Sequence, residues 1–93
     1  MEINFTKQNG VWVAEFEATS DFNVHLERTN GGLIRLLQRG TETGEYVDFY
    51  LNAGSDAYAN FDSDFGALVY PKWIKIISGT EVINCKVTFA QHE

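Results

Sequence analysis

Ninety-three residues carry a formal net charge of −6, from thirteen acids against seven bases, with 44% hydrophobic residues. That length supports one core and excludes a second independent domain, and the apolar fraction excludes a chain too polar to collapse, so residues 1–93 are expected to form a single domain. The bases are scattered along an acidic chain, whereas a phosphate-tracking surface needs a basic stripe, so nucleic acid is not an expected partner.

In chain order, Glu2 to Lys7 alternates Ile3 and Phe5 against Asn4 and Thr6 and reads as a short strand, closed by a turn at Gln8-Asn9-Gly10. Val11 to Ala18 places Trp12, Ala14, Phe16 and Ala18 on one face and Glu15 and Glu17 on the other. After Thr19-Ser20-Asp21, a third strand alternates Phe22, Val24 and Leu26 with Asn23, His25 and Glu27. Asn30-Gly31-Gly32 is the clearest turn, because Asn and Gly tolerate the positive φ of tight hairpins. Leu33 to Arg39 carries apolar groups on both faces and is read as a strand, since seven residues between glycines are too few for a well-supported helix.

Gly40 to Gly44 is a polar turn, and Glu45 to Leu51 resumes a strand with Val47, Phe49 and Leu51 on one face and Tyr46, Asp48 and Tyr50 on the other. A turn over Asn52 to Asp56 leads to a short strand, Ala57 to Phe61, and then to an irregular piece from Asp62 to Ala67. Tyr70-Pro71-Lys72-Trp73-Ile74-Lys75-Ile76-Ile77-Ser78 and Val82-Ile83-Asn84-Cys85-Lys86-Val87-Thr88-Phe89 flank Gly79-Thr80-Glu81 and read as a terminal hairpin. Within it Ile74, Ile76, Ile83, Cys85 and Val87 are expected to face the core, with Trp73, Lys75, Asn84 and Lys86 turned away. The lone Cys85 excludes an intramolecular disulfide and a thiolate zinc site.

About seven to nine short strands, with turns about every 8–12 residues, predict an all-β fold. Strands with one apolar and one polar face predict an antiparallel β-sandwich, with Trp12, Phe16, Phe22, Phe49, Phe61 and Phe89 beside Ile74 and Ile76 as core candidates. No apolar run approaches the roughly 18 residues of a membrane span, and the amino terminus lacks the pattern of a signal peptide. A cytoplasmic protein with no membrane partner is expected.

Three groups are candidates for function. Exposed aromatics, Tyr46, Tyr50, Tyr70 and Trp73, with Lys75 and Lys86 beside them, suit a protein interface and would equally suit stacking on a sugar. Asp56, Asp62 and Asp64 offer alternating carboxylates to a calcium ion, but they lack the spacing of a helix–loop–helix site, and Asp in such loops also makes Asx turns without metal. His25 with Glu27 is the sole acid–base pair to consider, and no nucleophile motif accompanies it. No cofactor and no enzymatic activity are expected.

Trp12-x-x-x-Phe16, Asp21-Phe22-Asn23-Val24-His25-Leu26, Gly31-Gly32 and Tyr70-Pro71-Lys72-Trp73-Ile74-Lys75-Ile76 resemble small jelly-roll-type structural proteins of bacteriophages and prophages. The resemblance lies in strand-and-turn rhythm and includes no catalytic motif. It implies an oligomeric virion or tail accessory subunit acting through protein–protein contacts; a carbohydrate-binding sandwich module is the alternative.

Overall fold

The computed structural model describes residues 1–54, 57–62 and 72–89, with residues 49–54 and 62 described in their backbone alone. Eight strands are formed and no helix is present among the described residues: β1 (Thr6–Gln8), β2 (Val11–Ala18), β3 (Phe22–Arg28), β4 (Gly32–Arg39), β5 (Val47–Gly54), β6 (Tyr58–Asp62), β7 (Lys72–Ser78) and β8 (Val82–Phe89). Among the described residues no helix is long and apolar enough to cross a membrane.

The strands make two antiparallel sheets, ordered β1-β2-β7-β4-β5 and β6-β3-β8. Phe16, Ala18, Ile34, Leu36, Ile74 and Ile76 from the first meet Phe22, Val24, Leu26, Phe61, Cys85 and Val87 from the second in one buried cluster. This is a sandwich: each sheet turns one apolar face inward because successive side chains alternate sides. Phe16 of β2 is 5.4 Å from Phe22 and 6.3 Å from Phe89 between ring centroids, all edge-on, so three rings bridge the layers.

Most connections cross the sandwich. β2→β3, β3→β4, β5→β6, β6→β7 and β7→β8 each pass from one sheet to the other, while β1–β2 and β4–β5 are hairpins within the larger sheet. The first residues add a further partial strand. Glu2 bridges Lys86 antiparallel, Ile3 N–H donates to the Cys85 carbonyl at 3.0 Å and Val87 N–H to the Met1 carbonyl at 2.7 Å. The chain therefore begins against β8 and crosses to the other sheet before β1. What reads as one strand from Glu2 to Lys7 is divided between the layers.

Three other expectations are corrected. The segment from Lys72 to Phe89 is no hairpin, since β7 lies between β2 and β4 whereas β8 pairs with β3. Alternation reports which face a residue takes, and it carries no information about which strand lies alongside. For the same reason Asn30-Gly31-Gly32 connects two sheets, with Gly32 at φ 156° and a hypothetical Cβ only 3.1 Å from Thr80 Cγ2. Ile83 is 63% exposed, because the register shifts between Glu27 and Arg28 so that Asn84 faces Glu27 and Val82 faces Arg28, leaving Ile83 as the extra residue of a bulge. Val82 packs against the core in its place.

Trp12 shares the inward face of β2 but lies at its end, half-buried, with the Lys7 ammonium 5.0 Å from its ring centroid. β5 runs on to Gly54, into the stretch read as a turn. Phe16, Phe22, Phe61, Ile74, Ile76, Cys85 and Val87 are buried as expected, and Phe89 packs against them. The Phe49 side chain lies outside what is described.

Candidate functional site

The outer face of the five-stranded sheet gathers the aromatic and charged groups. Pairing across β2, β7 and β4 sets them in rows: Val13, Ile77 and Arg35; then Glu15, Lys75 and Leu37; then Glu17, Trp73 and Arg39. Each row follows from antiparallel register, which places residues directly opposite within side-chain reach. Trp73 and Lys75 are half-buried, whereas Glu15 and Glu17 are exposed.

Tyr46, just before β5, folds back over this surface. The Arg39 guanidinium is 4.4 Å from the Tyr46 ring centroid and the Lys75 ammonium 5.4 Å from it, so two cations lie against one ring. Arg39 is further held by Nη1–H donating to the Gly44 carbonyl at 3.3 Å. The Tyr46 hydroxyl is buried, with Glu15 and Arg39 beside it but no hydrogen bond of ordinary geometry among the described residues. Burial pushes the phenol above its usual value, and the nearby Glu15 carboxylate adds to that against the opposing charge of Arg39.

Four of the seven bases, Arg35, Arg39, Lys72 and Lys75, lie on the adjacent strands β4 and β7. Arg35 is paired: its Nε and Nη2 donate to the two carboxylate oxygens of Asp48 at 3.0 and 2.8 Å, which holds Asp48 below the usual carboxylate value. Arg39, Lys72 and Lys75 have no carboxylate within ion-pair distance among the described residues. Two open recesses border them. One, of about 300 Å³, is lined by Gln38, Arg39, Gly40, Glu45, Val47 and Lys72; the other, of about 270 Å³, by Asn4, Thr6, Gln8, Glu15 and Lys75 among others.

Of the residues singled out by sequence, Trp73, Lys75 and Tyr46 are brought together here. Lys86 is not: it stands opposite His25 on the outer face of the three-stranded sheet, so it points away from Lys75 on the other side of the sandwich. Two lysines flanking Trp73 were expected from a hairpin that does not form. Tyr50 is described only in its backbone, opposite Leu36 of β4. Tyr70, Asp56 and Asp64 lie outside the described residues, and Asp62 is described only as the backbone partner of Asn23. Among the described residues no three acidic, histidine or cysteine side chains are placed to hold a metal ion.

His25 is half-buried, and its Nε2 hydrogen-bonds the hydroxyl of Tyr58 across the β3–β6 pair, with the rings 4.6 Å apart. Glu27 instead faces Tyr58 and Asn84 by register. Arg39 and Glu15 are the site residues that sequence reading missed. Their signal was parity, since Arg39 shares a face with Leu37 and Glu15 with Val13, but the strand that joins those faces is revealed only by pairing.

Comparison with protein-family models, with curated proteins and with solved structures gives no match to this chain.

Proposed function

We propose that the protein is a non-enzymatic assembly module that associates with a second copy of itself through the outer face of the five-stranded sheet, with Trp73 as anchor. The observation that carries this reading is the row Glu17–Trp73–Arg39 beside Glu15–Lys75, with Tyr46 over it. Acids and bases stand side by side around an aromatic centre, which makes the face self-complementary: a two-fold operation sets the carboxylates of one copy against the cations of the next. Trp, Tyr and Arg are the residues that dominate interface energetics. The sequence resemblance extends the proposal to a subunit made in the cytoplasm and built into a phage or prophage virion.

Sedimentation equilibrium from micromolar to millimolar chain tests it. A reversible oligomer is expected, with Trp73→Ala weakening association by about tenfold or more. A strict monomer throughout that range would sink the proposal.

The polar recess beside Tyr46 supports a second reading, a glycan-binding module, because Asn4, Thr6, Gln8 and Glu15 line it with donors and acceptors. Both faces of an unoccupied ring suit sugar stacking better than a ring already covered by Arg39 and Lys75, which weighs against it. Binding on a glycan array that is abolished by Gln8→Ala, together with a monomeric chain, would select that reading instead.

A further inference from the structure

We infer that the recess of about 300 Å³ between the β4–β5 hairpin and the start of β7 is a pocket for a small oxyanion, a carboxylate or a phosphate. Arg39 and Lys72 line it with Gln38 and Gly40, and neither cation has a carboxylate partner among the described residues, in a chain with thirteen acids. In an acidic chain, two cations that border one recess with no carboxylate partner among the described residues keep local positive potential at that spot, where an anion gains from both charges.

The geometry is partly organised in advance. Arg39 is fixed by Tyr46 against its guanidinium and by the Gly44 carbonyl on Nη1, which leaves other N–H donors of the fork for a ligand. Lys72 lies against Gly40, where a hypothetical Cβ would be 3.6 Å from Nζ, so the ammonium is at the rim of the recess rather than extended into solvent. Gln38 contributes a neutral amide donor, as carboxylate and phosphate oxygens accept from both charged and neutral groups. Glu45 is the opposing charge at the edge, and it limits affinity for anions.

The pocket does not depend on the assembly reading. An oxyanion could reach it as a free ligand or as the acidic side chain of another copy, and the chemistry is the same.

The test is amide NMR of the full chain titrated with glutarate and with inorganic phosphate, against sodium chloride at matched ionic strength. Saturable shifts centred on Gly40 and Gly44 are expected with both oxyanions. Lys72→Gln, which removes a side chain with no hydrogen bond among those described, should weaken binding by about tenfold, and Glu45→Gln should tighten it. These opposite signs are what a merely structural role for the two residues would not produce. Shifts that chloride reproduces, or that Lys72→Gln leaves unchanged, overturn the inference. Sedimentation with saturating glutarate then separates the sources: dissociation of an oligomer assigns the pocket to a partner's acidic side chain, and unchanged association or a monomeric chain assigns it to a free oxyanion.

Discussion

Cys85 and Tyr46 set how the protein responds to alkali. Burial pushes the Cys85 thiol from 9.0 up to about 12, and the Tyr46 phenol is also raised, first by burial and then by Glu15. In both cases the folded state favours the protonated, neutral form. The unfolded chain therefore releases its proton first, and the stabilisation is complete below pH 9.0 for Cys85 and falls as pH rises toward about 12. Urea midpoints should decline over that window, and Cys85→Ala should flatten the decline. Thiol labelling at pH 8 should proceed only as fast as the chain opens; fast labelling of the native state would contradict the burial of Cys85. Asp48 behaves in the opposite sense. Arg35 holds its carboxyl low, so whatever stability the pair contributes is present above the usual carboxylate pKa and lost as pH falls through the lowered one. NMR titration of Asp48 should show a pKa below 3.8 that moves upward in Arg35→Gln.

At the scale of elements, the β1–β2 hairpin turns on Asn9 and Gly10, with φ of 50° and 82° and Gln8 paired to Val11. Both positive values identify a two-residue turn of the type that matches strand twist. A Cβ at Gly10 would meet nothing within 4 Å, so Gly10→Ala probes backbone strain alone. It should cost about 1–2 kcal/mol by urea denaturation. The bulge in β8 makes a contrasting prediction. Ile83→Ser, at a 63% exposed site, should change stability by less than about 0.5 kcal/mol, whereas Ile74→Ala, fully buried in β7, should cost about 2–5 kcal/mol. Equal losses for the two would mean that the register of β8 is wrong. Sequence reading treated Ile83 and Ile74 alike, because strict alternation assigns Ile83 to the face of Cys85 and a single bulge residue shifts that assignment.

For the whole molecule, the winding decides both folding and surface. Of the consecutive strands, β1–β2 and β4–β5 pair with each other, while β7 needs β2 and β4 on its two sides and β8 needs β3. Such pairing closes long loops before contacts are gained, so refolding should take milliseconds to seconds, as in other sheet proteins of non-local topology. Stopped-flow Trp fluorescence checks this, and a microsecond phase carrying the full amplitude would contradict it.

The chain's own pattern determined the all-β class, the strands and most of the core: Phe16, Phe22, Phe61, Ile74, Ile76 and Val87 are buried where alternation puts them, since side-chain parity is a local property of extended backbone. It also brought Trp73 and Lys75 to one outward face. Tertiary structure alone decided that Lys86 lies on the opposite side of the sandwich, that Arg39 and Glu15 join Trp73 and Tyr46, and that Arg39 and Lys72 share a recess. The physical reason is that pairing is chosen by burial across the whole sandwich. A strand's sequence states which of its faces is apolar, and the identity of its neighbours is fixed only when every other strand has found a place.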